Sequence, residues 1–525
     1  MRSLTKCFAL LVLFFGALGP LARAQDKQAA DKRPESTPAA TKEEVEQLRE
    51  ELAAQRQTIE QLKALVEQLV EVKSPAQPAE SAHLVEASLP LTATDAEAEP
   101  LLVAEPFQKP AQKKDAPAVT AGWNGEHFFI GSADGQFQIQ PYGYVQTDFR
   151  SYTGDGAPAD TFSVRRARFG FQGNYGSHFQ FGILIDGAAG AGATIRDVYL
   201  NAKYNDAFQI QAGQFKEPFA QELVTGITNI DFVERGLQSL LYPSAASAYR
   251  SPGFVVHGDI DGGVFQYWAG AFNGKGFATN NTTSVPESVG RVRFYPWRKN
   301  KDSALQGLAF GGSIAYSKAR GLSNELTPSM MQPDFAYTFF PQFVVNGNVW
   351  RYEGELTYLK GPWAFRDEYV QAFFDRTGVG TLTLGGLGFG DLPVVRFKAW
   401  DSAVSYLLTG EKRPENGAPR VRHPLFGPET PGSKGTGLGA WELAFRYSGI
   451  QGKEPGRFFN NVFTPQNVPA FDMHTDEFSF GVNWYLNYWV RFQSNISIDR
   501  LKQPSTIGAT PQNYLVFEQR LQYRF

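Results

Sequence analysis

The sequence predicts an all-β transmembrane antiparallel β-barrel of about sixteen strands, with an α-helical coiled-coil segment at its N-terminal side. Three observations predict it. The last twelve residues, 514–525, alternate with period two: Leu515, Phe517, Leu521, Tyr523 and Phe525 share one face, broken by Gln519, while Glu518, Arg520, Gln522 and Arg524 share the other. That is a strand with one apolar and one polar side, and at a chain terminus ending in Phe it has the form of a closing barrel strand whose apolar face meets lipid. At the other end stands an export signal. Between the two, no later segment offers eighteen apolar residues in a row and mean hydropathy is −0.31, which excludes helical membrane spans.

Residues 1–24 read as a cleaved signal peptide. Arg2 and Lys6 are its positive end, the apolar run from Phe8 to Leu18 is too short to span a bilayer, and Ala22-Arg-Ala24 is a small-x-small cleavage site. The single cysteine, Cys7, falls within it, so the mature chain is expected to hold neither a disulfide nor a thiolate metal site. Residues 41–73 read as a coiled-coil helix. Val45, Leu48, Leu52, Gln55, Ile59, Leu62, Val66 and Leu69 follow alternating steps of three and four, and Thr41 with Glu44 forms a capping box. An isolated amphipathic helix is the alternative for this stretch. Residues 74–120, with prolines at 75, 78, 90, 100, 106, 110 and 117 among Ala, Glu and Lys, read as a disordered linker.

Residues 121–525 are the barrel domain. Residues 137–146, 179–186, 208–211 and 490–499 alternate apolar with polar, and each polar face must meet water, which in a closed barrel lies inside. The polar, Gly- or Pro-marked stretches 276–288, 321–341 and 411–436 read as long outer loops. The 52 glycines and 14% aromatic content suit a barrel rich in turns and aromatic girdles. This region holds 36 Lys+Arg against 35 Asp+Glu, a balance that excludes a nucleic-acid partner. Its 24 Arg against 12 Lys suit planar recognition of oxyanions or carboxylates in a confined lumen.

Eight blocks in order span most of this region: Phe162-Ser-Val-Arg-Arg-Ala-Arg-Phe-Gly-Phe-Gln-Gly173, Arg196-Asp-Val-Tyr-Leu-Asn201, Ala212-Gly-Gln-Phe-Lys-Glu-Pro-Phe219, Phe232-Val-Glu-Arg235, Gly290-Arg-Val-Arg-Phe-Tyr-Pro296, Tyr406-Leu-Leu-Thr-Gly-Glu411, Gly439-Ala-Trp-Glu-Leu-Ala-Phe-Arg-Tyr447 and Asn483-Trp-Tyr-Leu-Asn487. Together they resemble the family of phosphate-selective porins O and P. The resemblance implies a homotrimeric, sixteen-stranded outer-membrane porin whose lumen carries an arginine ladder leading to an anion constriction, with small anions such as phosphate as solute.

Alternation supports part of this independently. It puts Arg166 and Arg168 opposite Phe169 and Phe171, Arg291 and Arg293 opposite Val292 and Phe294, and Arg351 opposite Trp350 and Tyr352. Arg446 opposes Phe445 and Tyr447, Arg491 opposes Val490 and Phe492, and Arg520 and Arg524 face away from Leu521 and Tyr523. All should point into the lumen, because an Arg on the lipid face near mid-membrane costs roughly 2–4 kcal/mol. A staircase of guanidinium groups would replace an anion's lost hydration and hand it from site to site. The rival reading pairs them with carboxylates on the same faces: Glu353 and Glu355 with Arg351, Glu442 with Arg446, Asp499 with Arg491, and Glu518 with Arg520.

Enzyme-like patterns are poor. Residues 270–275 are one residue short of a phosphate-binding loop and read as a hairpin turn, residues 385–390 lack the strand-turn-helix context of a dinucleotide site, and residues 259–263 read as a turn rather than a calcium loop. His83, His127, His178, His257, His423 and His474 have no metal spacing, and neither a metal nor another cofactor is expected. The expected function is passive diffusion of small anions, phosphate or polyphosphate among them, through a water-filled outer-membrane channel. Partners are the lipid bilayer and, through a periplasmic N-terminal helix, the cell wall. A barrel-wall hydrolase and a structural anchor are the alternatives.

A peptide of residues 41–73 is expected to show helicity that rises with concentration, and Leu62→Asp should abolish it by placing a charge in the seam. Circular dichroism across a dilution series checks this; a monomer in sedimentation at high concentration would remove the coiled coil.

Overall fold

The protein is seen in a computed structural model that describes residues 119–525, apart from 125–126, 155–156, 158, 189–191, 245–248, 277–279, 282, 284, 323–342, 379–381, 384–385, 388–390, 427–432, 455–470 and 503–511. The signal peptide, the 41–73 helix and the linker lie outside the described residues, save that the expected linker's last two residues, Val119 and Thr120, already belong to a strand.

Sixteen strands form the barrel: β1 (Phe137–Thr153), β2 (Thr161–Tyr175), β3 (Phe179–Asp186), β4 (Thr194–Asn205), β5 (Phe208–Lys216), β6 (Arg250–Ile260), β7 (Phe265–Phe272) and β8 (Glu287–Phe294). They continue with β9 (Leu308–Leu322), β10 (Val344–Lys360), β11 (Trp363–Arg376), β12 (Leu392–Leu407), β13 (Ala440–Glu454), β14 (Phe471–Tyr485), β15 (Val490–Lys502) and β16 (Gln512–Arg524). Each pairs antiparallel with the next, and β16 returns to β1 from Leu515 opposite Thr153 to Arg524 opposite Tyr144, which closes the sheet. Two further strands, Val119–Trp123 and Phe128–Ser132, form a hairpin on the start of β1.

Burial is inverted relative to a water-soluble protein. Phe169, Ile183, Phe254, Val292, Phe480 and Leu521 are exposed on the outer face, while arginines, carboxylates and amides are buried inside. Only a hydrocarbon solvent outside makes that arrangement favourable. Among the described residues no helix is long and apolar enough to cross a membrane; the strands cross it.

The two ends differ. One carries the tight turns, including 261–263, where Asp261, Gly262 and Gly263 have φ of 57°, 67° and 77°, together with the chain terminus. Connection 273–286 lies at the opposite end, although Glu287 and Ser288 of the expected loop already belong to β8; of the expected loop 321–341, Gly321 and Leu322 belong to β9 and the rest lies outside the described residues. The expectation of an outer loop at 411–436 is wrong. The 408–439 connection joins β12 to β13 at the tight-turn end, where Trp363 opposes Tyr406 and Ala440 opposes Tyr485. Polarity and proline content mark a loop but not its end; that follows from whether an odd or even number of strands precedes it.

Segment 217–249, between β5 and β6, folds into the barrel. It contains a one-turn helix, Gln221–Val224, and two 3₁₀ turns, Ile227–Asn229 and Leu237–Leu241, and nearly all its described residues are buried. Leu237, Leu240, Leu241 and Tyr242 join an apolar cluster with Val370, Ala372 and Phe374 of β11 and Val395, Phe397 and Ala399 of β12. The lumen wall is therefore not polar throughout, as alternation alone implies: toward the long-loop end it is partly apolar, because it packs against chain rather than water.

Closure depends on the terminal residue. Phe525 N–H donates to Gly143 O at 3.0 Å, Gly143 N–H returns a bond to Phe525 O at 3.1 Å, and the Phe525 ring stacks on Tyr523 and Phe169. A Cβ on residue 143 would lie 2.4 Å from Arg168 O and 2.8 Å from the Phe525 ring, so glycine is what admits the chain end. Deleting Phe525 is expected to lower the amount of heat-modifiable barrel in the outer membrane; wild-type amounts on semi-native gels would refute this.

Candidate functional site: the charged lumen

The centre of the lumen is built around residues 228–234 of the infolded segment. Its backbone is held from the wall: Asn483 Nδ2 donates to Asp231 O at 2.8 Å, Arg491 Nη1 to Ile230 O at 2.9 Å, Arg446 Nη1 to Glu234 O at 2.9 Å, and Gln522 Nε2 to Thr228 O at 3.2 Å. Backbone carbonyls that would be costly to bury unpaired thus find donors on β13–β16. The Phe232 ring lies 4.4 Å from the Arg446 guanidinium carbon.

Two carboxylates of the segment collect the wall's positive charge. Glu234 meets Arg520 Nη2 at 2.8 Å, Arg150 Nη2 at 2.9 Å, Arg165 Nε at 3.1 Å and Arg166 Nη2 at 3.1 Å. A β-bulge between Val164 and Arg166 makes this possible: it takes Arg165 out of register, so that Arg165 and Arg166 both reach inward. Asp231 meets Arg413 and Arg366. Burial works to raise both carboxyls, but the surrounding guanidinium groups outweigh it and hold Asp231 below and Glu234 well below the usual carboxylate range.

Of the nine arginines marked by the sequence, eight are nine-tenths or more buried on the lumen side and Arg524 is half-buried. They do not form one staircase. Arg166 and Arg520 share Glu234, and Arg520 also grips Asp148 through two bonds of 2.7 Å. Arg168 binds Asp186 at 2.8 Å. Arg291 and Arg293 share Glu355 at 2.8 and 2.9 Å, and Arg293 also binds Glu415 of the 408–439 connection. Arg351 binds Glu287 at 3.1 Å, and Arg446 binds Glu477. Arg491 has no carboxylate partner among the described residues; its Nη2 donates to Gln493 Oε1 at 2.8 Å.

The expected same-strand pairings are replaced by pairings across strands. Arg351 takes Glu287 rather than Glu353 or Glu355, Arg446 takes Glu477 rather than Glu442, and Glu518 meets Arg150 at 3.4 Å while Arg520 takes Asp148 and Glu234. Adjacent strands lie only about 4.8 Å apart, so a carboxylate on a neighbouring strand is as close as one two residues along; Arg351 reaches past β9 to β8, and the same-strand pair Arg150–Asp148 at 3.0 Å shows that both kinds of contact form. Sequence reasoning missed Asp231, Glu234, Arg150, Arg165 and Arg413. Glu234 lay within the quoted block 232–235, but nothing in its local pattern shows that a non-strand segment turns inward.

Opposite the arginine side the wall is acidic. Glu355 faces Glu368, Glu368 faces Asp401, and Glu477 faces Asp499 in direct cross-strand register. Like charges so placed repel, and the structure answers with donors: Glu368 accepts the Glu222 N–H at 2.6 Å and the Tyr242 hydroxyl. Glu353, Glu355 and Glu368 have oxygens within 4.8 Å of one another. Such a set suits a hard cation, but Glu355 and Glu368 are already bound by protein donors.

Comparison with known proteins gives one family. The model of the family "Phosphate-selective porin O and P" matches residues 139–525. Solved structures with a similar fold include an anion-selective porin from Comamonas acidovorans (12% identity, 74% of this chain and 100% of that chain, TM-score 0.45). Others are the outer membrane channel DcaP of Acinetobacter baumannii (11%, 74% and 97%, 0.45) and in-vitro folded OmpT, an outer membrane protein of Vibrio cholerae (13%, 74% and 98%, 0.45). No curated protein matches the sequence.

Glu234→Gln leaves four guanidinium groups without their shared counter-charge. Breaking a buried pair from one side costs roughly 3–5 kcal/mol, so the heat-modifiable band should unfold at lower temperature. Adding Arg166→Gln should recover part of the loss; a double variant no better than the single would exclude the coupling.

Proposed function

Because the chain belongs to the family of phosphate-selective porins O and P, we propose that it is an outer-membrane channel through which small hydrophilic solutes diffuse passively, with anions, phosphate among them, preferred. The family and the barrel point to a channel rather than an enzyme. The observation that carries the reading is the closed sheet with an apolar exterior and an interior of guanidinium, carboxylate and amide groups. Such a wall replaces part of a solute's hydration without committing to one ligand.

Anion preference in this reading comes from guanidinium groups that the protein has not already neutralised. Seven of the eight are tied to carboxylates; among the described residues Arg491 is not, and neither is a ninth arginine, Arg524, which donates to Tyr488 O at 2.8 Å and to Asn229 Oδ1 at 3.3 Å. Arg491 and Arg524 flank the infolded segment at the tight-turn side and attract anions entering there. Homotrimeric assembly, the cleaved signal peptide and a periplasmic coiled-coil stalk that touches the cell wall complete the proposal.

One observation favours a second reading. Segment 217–249 is buried against the wall on several sides, as a plug would be, and a plugged barrel with a helical stalk would be an anchor. Recording from the purified protein in a planar bilayer separates the two: stable ohmic steps support the channel, and a silent barrel supports the anchor.

For a conducting barrel, Arg491→Gln should move the reversal potential in a salt gradient toward cation selectivity. Arg166→Gln with Arg168→Gln should chiefly lower thermal stability, since both are bound to carboxylates. The opposite ranking would show that the β2 arginines, not the unpaired ones, set ion preference.

A further inference from the structure

The tight-turn half of the lumen holds a cavity of about 310 Å³ that the arginine clusters do not account for. Its roof is the infolded segment at Pro218, Gln221 and Val224, and Glu415 and Asn416 of the 408–439 connection reach its edge. The wall between carries polar side chains, mostly amides, in cross-strand pairs, interrupted where Gln172 opposes Gly182 and Gln211 opposes Val255. Gln140 opposes Gln172 across β1 and β2, Gln180 opposes Asn201 across β3 and β4, Asn201 opposes Gln211 across β4 and β5, and Gln266 opposes Asp259 across β7 and β6.

The belt is pre-ordered. Asn201 Nδ2 donates to Gln180 Oε1 at 3.0 Å and Gln209 Oε1 at 2.9 Å, and Asn201 Oδ1 lies 3.1 Å from His257 Nε2. Gln211, 1% exposed, keeps its Oε1 without a hydrogen-bond partner. Of the four cations at the cavity, Lys216 Nζ is bound by the Leu223 and Thr225 carbonyls and Arg291 and Arg293 are held by Glu355, while Arg298 lies over the Tyr295 ring, 4.7 Å from its centroid. Trp268 adds an aromatic ring, one face of which lies 4.9 Å from the Arg291 guanidinium.

We infer that this cavity is a binding subsite for a neutral, polyhydroxylated solute of small-oligosaccharide size. Each amide offers a donor and an acceptor on one plane, which is what neighbouring hydroxyls need, since each both donates and accepts. A phosphate would need free cationic donors, and the cavity presents few. Its volume falls at the small end of the range for ligand pockets. The inference rests on the channel reading and names a solute class for it, so that neutral solutes and anions meet different walls of one lumen.

Equilibrium binding tests it on the full-length mature protein in a detergent without a sugar headgroup, with sucrose as probe, read by saturation-transfer NMR on the sucrose protons. Wild type should bind, and Gln180→Ala with Gln209→Ala should weaken binding by about tenfold, the loss of one or two hydrogen bonds. Should that pair fail to give a heat-modifiable barrel, Gln266→Ala on the opposite wall should weaken binding by roughly fivefold. Phosphate should not displace the sugar. Absence of transfer to sucrose, binding unchanged in the folded variants, or equal displacement by phosphate would overturn the subsite. A barrel that binds sucrose but never conducts would overturn the channel reading alone, and one that conducts without binding would overturn the subsite alone.

Discussion

Four guanidinium groups from three neighbouring strands converge on the carboxylate of Glu234, and the rest of the interior depends on that convergence. Arginines confined inside a narrow barrel cannot spread apart, and each raises the energy of the next unless a counter-charge stands between them. The wall supplies some, such as Asp148 and Asp186. Segment 217–249 supplies the remainder by turning inward and offering Asp231 and Glu234. The same fold-back places Leu237, Leu240 and Tyr242 against the apolar stretch of β11 and β12, so charge pairing on one side and burial on the other hold one segment in one place.

The fold was legible in the sequence to a large degree, because a barrel in lipid obeys period two along every strand. The closing strand at 514–525, the strand at 179–186 and the lumen side of the eight buried arginines were readable from alternation alone. What the arginines touch was not. Their partners stand on other strands or on the infolded segment, and register between strands is set by turn lengths and bulges, as at Arg165. The 408–439 connection shows the same limit: its composition marks a loop, but only the count of preceding strands says which membrane side it occupies.

The resulting lumen has zones rather than a ladder. Arginines on β1, β2 and β16 face the segment's carboxylates; an acidic belt on β10–β15 is tied down by Arg293, Arg446 and the Tyr242 hydroxyl; and amides line the tight-turn half of β1–β7. A solute crossing this pore exchanges water for a sequence of differently charged surfaces. Ion preference then belongs to the groups left over after internal pairing, so counting arginines alone overstates it.

That account turns on segment 217–249 staying fixed while solutes pass. The chain has no cysteine beyond Cys7, and Leu237 N–H donates to Ser448 Oγ at 2.7 Å, so Leu237→Cys with Ser448→Cys puts one thiol on the segment and one at the point of β13 that it contacts. Single-channel conductance of this variant, recorded oxidised and then after reduction, is the most direct measurement. A disulfide that forms readily and leaves conductance the same in both states is the expected result. Conductance that rises several-fold on reduction would contradict the account, because the segment would then be a gate rather than part of the wall.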